Sequence, residues 1–397
     1  LQPVWPGLRV RAPFVGYHVL VHREHATTNI NPTKGEYMIK HKRLAAASLA
    51  AVVALAACGS DDDSGEETPT TEGASEEGAE GEGEGEAASS DVTIGIAFDT
   101  GGRGDGTFND SAGRGADQAE AELGVGLEEL EAATADDRGP NLETLTGAGA
   151  SPIIAIGFAF SDALAEIAPA NPDTQYATVD GFVADAPPNL TIIGFAEEQG
   201  SFLVGAAAAL ACGCDQLGVI GGQEIDLIKK FEAGYVAGAQ QINPDITVEV
   251  QYLGAAGDNN AWAAPDKAKE IANAWYADGV EVIYTAAGGS GAGTIDAAVE
   301  SDKWAIGVDS DQYLTATPEQ QEHILTSMLK RVDVAVFETA KAAAEGTLEG
   351  GFATYDLSTD GVGYSTEGGY LDEYVDQLDE LKAQIVDGTI TVPTAPA

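Results

Sequence analysis

The chain has 397 residues, enough for two ordinary domains once any tails are set aside. It carries 65 acidic against 19 basic residues and a formal net charge of −46, which makes nucleic-acid backbones poor partners and indicates an exposed protein kept soluble by charge. Of its histidines, only His323 lies after residue 58. A histidine-rich metal site or a histidine-based catalytic cluster is therefore nearly excluded there, and we expect neither a metal nor a cofactor.

The first patterned segment lies at residues 38–60 and reads MIKHKRLAAASLAAVVALAACGS. A basic start, an apolar run and then Cys58 form the three-part layout of a secretory signal, and the run is too short to span a bilayer comfortably. Its end, LAAC, resembles the bacterial lipobox, which implies a lipoprotein signal peptide at 38–57 and lipidation of Cys58. An ordinary cleavage site beside an incidental cysteine is the alternative. Residues 1–37 precede a plausible initiator, Met38, and we interpret them as a mis-assigned N-terminal extension.

An acidic, glycine-rich stretch follows this cysteine. Residues 59–90 contain no large apolar side chain, so they cannot bury a core, and their like charges extend the chain. We predict a solvated tether at 58–90 that holds a folded domain, residues 91–397, away from the membrane to which the lipid on Cys58 anchors it. The expected location is the extracytoplasmic face of the cell membrane.

From residue 91 onward, strand-like apolar runs alternate with helix-length stretches. The predicted strands lie at 92–98, 152–157, 175–180, 190–195, 217–222, 247–253, 280–286 and 304–308. The predicted helices lie at 109–123, 159–168, 199–212, 225–242, 264–278 and 291–301. This alternation indicates parallel sheets covered by helices, and its length favours two α/β lobes over a single core. Such sheets bind ligands beyond the carboxyl ends of their strands, so the candidate loops follow residues 98, 157, 195, 222, 286 and 308.

The loop after the first strand reads FDTGGRGDGTFND, at residues 98–110. It is not a P-loop, because no Gly-Lys-Ser/Thr follows, and its carboxylates lack the regular alternation of a calcium loop. An aromatic side chain, Phe108, stands at its far end, where a solvent-facing turn would not need one. Because glycine-rich backbone can approach a ligand closely, we predict that this loop presents Phe108 as a stacking platform for a flat ligand.

The stretch AAGGSGAGTIDAA follows the predicted strand 280–286. It comes close to the nucleophile elbow of serine hydrolases, but Ala292 replaces the last glycine and only His323 could serve as the base. We therefore favour a different interpretation, in which Gly288 and Gly289 let backbone amides reach a ligand at the start of a helix.

Asp309 follows the predicted strand 304–308 in the stretch WAIGVDSDQY. A glycosidase pair with Asp311 is disfavoured, because residues two apart on one strand share a side and do not flank a scissile bond. A carboxylate at the carboxyl end of a strand is well suited to accept hydrogen bonds from two adjacent hydroxyls of a sugar. We predict that role for Asp309.

Cys212 and Cys214 form a CGC motif at the end of a predicted helix. Thiols two residues apart close only a tight ring, and the usual Cα separation of a disulfide is awkward there. Metal binding would need further ligands that this part of the chain lacks. We interpret the pair as packing cysteines or as an exported disulfide with no functional role.

Several stretches, in order along the folded region, resemble the basic membrane protein (BMP) family of bacterial substrate-binding lipoproteins. They are GTFND, GFAFSDAL, EEQGSFLVG, GVIGGQEIDLIKKFEAGYVAGAQ, AAGGSGAGTIDAA, WAIGVDSDQY and ILTSMLKRVDVAVF. The best-understood branch of this family comprises the purine nucleoside receptors of ABC transporters. The resemblance implies a type I periplasmic-binding-protein fold of the α/β class, with two Rossmann-like lobes, three crossovers and a ligand cleft. Lobe 1 is expected at residues 91–196 plus 312–340, and lobe 2 at 197–311 plus the C-terminal segment.

In the nucleoside-binding members, two aromatic side chains enclose the purine and an aspartate recognises its edge. Matched motif by motif, the resemblance implies that Phe108 and Trp262 are the two stacking residues, with tryptophan where the family has phenylalanine. Asp162 in GFAFSDAL matches the aspartate at the purine edge. Asp99 and Asn109 match polar contacts from the first loop. The alternative is that both aromatic residues are ordinary core or hinge residues.

The ribose-binding group of the family is matched by three further residues. Gly288, Asp309 and Lys330 take these positions, with Asp309 at the ribose hydroxyls and Lys330 nearby. Lys229 and Lys230 also match the family, and we interpret them as helix surface near the cleft.

The sequence therefore predicts a lipid-anchored protein that closes two lobes around a purine nucleoside and delivers it to the permease of an ABC importer. No bond is broken, no cofactor is required and no nucleic acid takes part. One alternative is a protein of the same fold that binds a sugar or another small polar ligand, and another is a ligand-sensing surface lipoprotein. A nucleoside hydrolase is less favoured, because it would need a usable base or a metal-binding carboxylate cluster.

Overall fold

The computed structural model describes residues 90–397. In it the apolar runs form the strands of two sheets, and within each sheet these strands end at the same edge. The strands are β1 (Thr93–Phe98), β2 (Gly126–Glu131), β3 (Ile153–Ile156), β4 (Tyr176–Val179), β5 (Leu190–Phe195), β6 (Gln216–Gln223), β7 (Thr247–Gly254), β8 (Val282–Ala286), β9 (Trp304–Asp309), β10 (Ile324–Lys330), β11 (Gly351–Tyr355) and β12 (Val362–Tyr364). The predicted extension, signal peptide, Cys58 and the tether up to residue 89 lie outside the described residues.

Ten α-helices are described, nine between these strands and one after the last strand. They are α1 (Phe108–Leu123), α2 (Arg138–Ala148), α3 (Ser161–Ala170), α4 (Glu197–Cys212), α5 (Asp226–Ile242), α6 (Pro265–Ala277), α7 (Gly291–Ser301), α8 (Pro318–Gln321), α9 (Val332–Ala344) and α10 (Val375–Val386). Each strand and helix predicted from the sequence has a counterpart here. The structure adds β2, β10, β11 and β12, and the helices α2, α8, α9 and α10.

The two sheets have the same internal order. Sheet A runs β2-β1-β3-β4-β5-β11 with every neighbouring pair parallel. Sheet B runs β7-β6-β8-β9-β10-β12, and only its edge pair β10–β12 is antiparallel. The order makes β4 in sheet A the topological counterpart of β9 in sheet B. This is the α/β fold with two Rossmann-like lobes that the sequence predicts.

Helices cover both faces of each sheet. In lobe 1, α2 and α3 pack on one face of sheet A, while α1 and α9 pack together on the other. In lobe 2, α6 and α7 cover one face of sheet B, and α4, α5 and α10 cover the other. Successive strand residues point to opposite cores, which explains why the strands read as continuous apolar runs.

The chain crosses between the lobes three times. It leaves lobe 1 after β5 and returns to it after β10, as the packing of α9 on α1 shows. It crosses to lobe 2 again between β11 and β12. The predicted return to lobe 1 at residue 312 is wrong, because β10 pairs with β9 and completes lobe 2 first. After residue 312, only α9 and β11 belong to lobe 1.

Two further features bear on the expectations from the sequence. Cys212 and Cys214 form a disulfide with a Cα–Cα distance of 5.1 Å at the C-terminal end of α4, so the two cysteines are bonded rather than merely packed. Across residues 90–397, no helix combines the length and the apolar character that a membrane crossing requires.

Candidate ligand-binding site

The carboxyl ends of both sheets face a cavity of about 850 Å³ between the two lobes. The loops after β1, β3 and β8 and the last residues of β9 contribute to its wall, whereas the predicted loops after residues 195 and 222 do not. The structure adds residues that follow β2, β4 and β7, three residues of α5 and the last residue of β10. All but one of the predicted ligand-binding residues line this cavity: Asp99, Phe108, Asn109, Trp262, Gly288, Asp309 and Lys330. The fold thus brings together side chains that are up to 231 positions apart (330 − 99) in the sequence.

Asp162 is the exception. It lies exposed in the first turn of α3 and is not part of the cavity wall. The residue that reaches the wall from this motif is Phe158, in the short 3₁₀ turn before α3. Asp162 lies one helical turn after Phe158 and points away from the edge of the sheet at which the strands end. A motif match gives only a position in the sequence, so it could not reveal this difference.

Aromatic side chains reach the cavity from both lobes. Phe108 begins α1 in lobe 1, and Trp262 ends a 3₁₀ turn between β7 and α6 in lobe 2. The Trp262 ring meets Phe158 of lobe 1 edge-on, with ring centroids 6.3 Å apart and planes at 67°. A Cβ atom at Gly222 would overlap the indole, so that glycine makes room for Trp262.

The glycine-rich loop between β1 and α1 is held in one shape by charged groups. Arg103 lies 2.8 Å from Asp117 and 2.5 Å from Glu129. Asp105 accepts hydrogen bonds from three backbone N–H groups around the start of α1, and Asp110 accepts from two N–H groups of the loop. The N-terminus of α1 is therefore already occupied by a carboxylate, so it is not available to a phosphate.

Asp99 is held by a partner that the sequence did not reveal. Arg138, at the start of α2, places Nε 2.6 Å from Oδ1 and Nη2 3.1 Å from Oδ2 of Asp99. The backbone N–H of Thr100 also donates to Oδ1, at 2.7 Å. The two-point pairing with arginine neutralises the carboxylate and fixes its plane in the cavity wall.

Lys330 lies at the centre of a buried group of charges. Its side chain is 2% exposed, and Nζ is 2.6 Å from Asp180 Oδ2 and 3.0 Å from Glu197 Oε1. The other oxygen of Glu197, Oε2, is 3.0 Å from Nζ of Lys230. Lys230 also donates to the carbonyl oxygen of Phe195, at 3.3 Å, so this lysine is a structural partner and not merely helix surface.

The rings of three phenylalanines surround the same ammonium group. The distances from Lys330 Nζ to their centroids are 5.0 to 5.6 Å, for Phe195, Phe108 and Phe231. Such contacts stabilise a cation that has lost its water shell. They also fix Phe108, the predicted stacking residue, next to the charge group.

The charge group changes the proton affinity of its members. Burial raises the pKa of Asp309 to about 7; the Lys330 ammonium opposes this, while the carboxylates of Asp180, Asp105 and Glu197 add to it. Burial also raises the pKa of Asp180, again against the effect of Lys330. Burial alone would lower the pKa of Lys330, but its carboxylate neighbours outweigh that effect and raise it.

Asp180 and Asp309 occupy equivalent places in the two lobes. Asp180 follows β4, Asp309 ends β9, and both residues have φ of 64°, in the left-handed region. This conformation is disfavoured for residues other than glycine, although aspartate tolerates it better than most. Two buried oxygens of the cavity residues, Oδ1 of Asp180 and Oδ1 of Asn109, have no hydrogen-bond partner among the described residues. Among the described residues the site is therefore rich in acceptors, and the cation in its wall, Lys330, is paired with carboxylates.

The remaining functional expectation from the sequence concerned a catalytic base. The Nδ1–H of His323 donates to the carbonyl oxygen of Lys303 at 2.9 Å, and the ring packs near Trp304, away from the cavity wall. Glu197 and Arg138 carry no local signal that predicts their roles, because these, like the role of Asp180, depend on contacts between distant segments. A charged residue at the carboxyl end of a predicted strand was the available signal for Asp180.

Comparisons with known proteins agree with this architecture. Residues 92–395 match the Bmp family, described as ABC transporter substrate-binding protein PnrA-like. The chain is 36% identical over 328 residues to a CD4+ T-cell-stimulating antigen of Listeria monocytogenes, covering 78% of this chain and 90% of that protein. It is 33% identical over 369 residues to the ABC transporter nucleoside-binding protein BmpA of Lactococcus lactis, covering 88% of this chain and 98% of that protein.

A solved structure gives the same result for the fold. The ABC transporter system solute-binding protein from Aeropyrum pernix K1 superposes with a TM-score of 0.68 at 27% identity. The superposition covers 77% of this chain and 94% of that one.

Proposed function

Because the chain belongs to the Bmp family of PnrA-like ABC transporter substrate-binding proteins, we propose that it binds a purine nucleoside between its lobes and delivers it to the permease of an ABC importer. The observation that carries the proposal is the arrangement of Phe108 and Trp262 in one cavity wall with the buried carboxylate of Asp309. The similarity to a nucleoside-binding protein of Lactococcus lactis supports the same class of ligand.

The chemistry of the cavity suits a flat base joined to a neutral sugar. The aromatic side chains offer faces and edges to the base. Stacking of a base on an aromatic ring contributes about 1–3 kcal/mol to binding. Asp309 offers two oxygens to adjacent ribose hydroxyls. Asp99 and Asn109, from the first loop, are proposed to contact polar atoms of the ligand, and the backbone at Gly288 to approach it. The edge-reading role of Asp162 stays a prediction.

The pairing of the wall's lysine, among the residues that the structure describes, favours nucleosides over nucleotides. Among the described residues of the cavity, Lys330 is paired with two carboxylates, and Asp180 and Asp309 face the same space. A phosphate would meet these negative charges without a compensating cation, and the N-terminus of α1 is already occupied by Asp105. We therefore propose that phosphorylated nucleosides are rejected.

Transport requires a location and a motion as well as a ligand. The lipobox-like segment supports attachment through a lipid on Cys58, with the acidic tether spacing the lobes from the membrane. The three crossovers lie at one side of the sheets, where they can act as a hinge between an open and a closed state. A ligand that contacts both lobes favours the closed state.

Isothermal titration of the full chain with guanosine, adenosine, inosine, uridine and ribose tests the proposal. We expect heat with purine nucleosides, no release of free base, and loss of binding in Phe108→Ala and Asp309→Ala. Phe352→Ala is the matched control, because Phe352 is an exposed aromatic residue of lobe 1 that does not line the cavity. Binding of ribose alone would support the sugar-binding alternative, and formation of free base would support the hydrolase.

A further inference from the structure

The two lobes are joined across the cleft by a serine to which the sequence assigns no role. Ser310 directly follows Asp309 in lobe 2 and is 6% exposed. Its hydroxyl donates to the backbone carbonyl oxygen of Thr107 at 2.7 Å. The same hydroxyl oxygen accepts a hydrogen bond from Nη2 of Arg114 at 2.9 Å. Thr107 directly precedes α1 of lobe 1, and Arg114 lies in the second turn of that helix.

This pair of hydrogen bonds connects the backbones that carry two ligand-binding candidates. Thr107 precedes Phe108, and Ser310 follows Asp309. The backbone at Asp309 is left-handed, a conformation that needs support from its surroundings. The bond from Ser310 therefore fixes the distance between the stacking ring in one lobe and the carboxylate in the other.

We propose that Ser310, oriented by Arg114, is a positioning residue that ties the lobes together in the closed state and so sets how long the ligand stays bound. The proposal rests on the proposed function for the identity of the ligand, but not for the contact between the lobes. A hydrogen bond that exists only when the lobes are closed adds to the population of the closed state. Its loss is expected mainly in the dissociation rate, since release requires opening.

Three variants and one control separate this role from simple damage to the fold. Ser310→Ala removes the hydroxyl, and Ser310→Thr keeps one. Arg114→Met removes the second donor from an exposed position, where misfolding is not expected. Lys341→Met is the control, because it removes a positive charge from α9 that contacts Glu338 on the same helix and nothing across the cleft.

The first measurement is the dissociation rate of guanosine from the full chain by stopped flow. We expect dissociation to be about tenfold faster in Ser310→Ala and about threefold faster in Arg114→Met, as for loss of a buried and a partly exposed hydrogen bond. Association should be unchanged, Ser310→Thr should restore most of the wild-type rate, and Lys341→Met should match the wild type. Equal dissociation rates in all five proteins would overturn the proposal.

The second measurement is hydrogen–deuterium exchange of the full chain without ligand. The segment Asn259–Trp262 reports on opening, because Trp262 meets Phe158 of the other lobe and makes no hydrogen bond to Ser310. We expect faster exchange there in Ser310→Ala, with α4 unchanged. Faster exchange only beside Ser310 would show a local role and overturn the proposal. A wild-type chain that binds no nucleoside would overturn the proposed function, while the exchange result would still decide on the tie between the lobes.

Discussion

Replacing Lys330 by methionine tests the buried charge group most severely. The methionine side chain is apolar and of similar length, so it removes the charge with little change in volume. The variant leaves the carboxylates of Asp180 and Glu197, 2.6 and 3.0 Å from Nζ in the wild type, without their shared cation. Asp309 loses the neighbouring ammonium group that lowers its pKa.

The size of the effect follows from burial. The side chains of Lys330, Asp180 and Glu197 are 2%, 6% and 0% exposed, so water cannot replace the lost cation. Removing one partner from a buried ion pair reduces the free energy of unfolding by about 3–5 kcal/mol. Loss of the contacts with three phenylalanine rings adds to this. We expect a decrease of about 4 kcal/mol at about pH 8.

The decrease should be smaller in acid. In the wild type the pKa of Asp309 is raised to about 7, above its value in the unfolded chain, so its contribution to stability is present at low pH and is lost as the pH rises through about 7. Without Lys330 the pKa values of Asp309 and Asp180 rise further, because that lysine lowers both. Protonation of Asp309 then relieves part of the unpaired negative charge at about pH 5.5.

Urea denaturation followed by circular dichroism, at both pH values, measures these differences. Lys341→Met, which removes an exposed lysine from α9, is the control. The double variant Lys330→Met/Asp180→Asn should recover part of the stability at the higher pH, because one of the unpaired carboxylates is gone. A loss below about 1 kcal/mol at the higher pH, or an equal loss at both, would refute the reasoning.

Three other results are expected. Trp262→Ala should weaken purine nucleoside binding about tenfold or more in titration calorimetry, whereas Phe352→Ala should not. The ionised form of Asp309 accepts hydrogen bonds from the ligand hydroxyls, and its pKa is about 7. Wild-type affinity should therefore rise between about pH 6 and pH 8, and Asp309→Asn should abolish this rise. A flat wild-type profile would contradict the assignment. Gly238→Ala should lower the free energy of unfolding by about 1–3 kcal/mol in a urea titration, because its Cβ would overlap the carbonyl oxygen of Phe202 where α5 crosses α4. Wild-type stability in that variant would show that the two helices can separate freely.

The sequence predicted the central strands well because they are buried on both faces. It missed β2, whose residues GLEELE are partly exposed at the edge of sheet A and carry three glutamates. Such a strand lacks the apolar run that identifies its neighbours. The return of the chain to lobe 1 was predicted too early, because pairing of β10 with β9 is a tertiary fact that no local pattern encodes.

The residues of the candidate site likewise fall into those that local sequence patterns predict and those that they do not. Phe108, Asn109 and Asp309 stand next to predicted strands or glycine-rich loops, where local patterns place them in a ligand cleft. Asp180 and Glu197 acquire their role from Lys330, which is 150 and 133 residues away in the chain (330 − 180 and 330 − 197). Pairing at such separations depends on how both lobes pack, which the sequence alone does not display.

A crystal structure of residues 90–397 grown with guanosine tests the central claim most directly. We expect the purine ring in the cavity against Phe108 and Trp262, with the ribose hydroxyls at hydrogen-bond distance from Asp309. We also expect the bond between Ser310 and Thr107 in the same crystal. A nucleoside bound outside this cavity, or bound inside it with the ribose away from Asp309, would contradict the account.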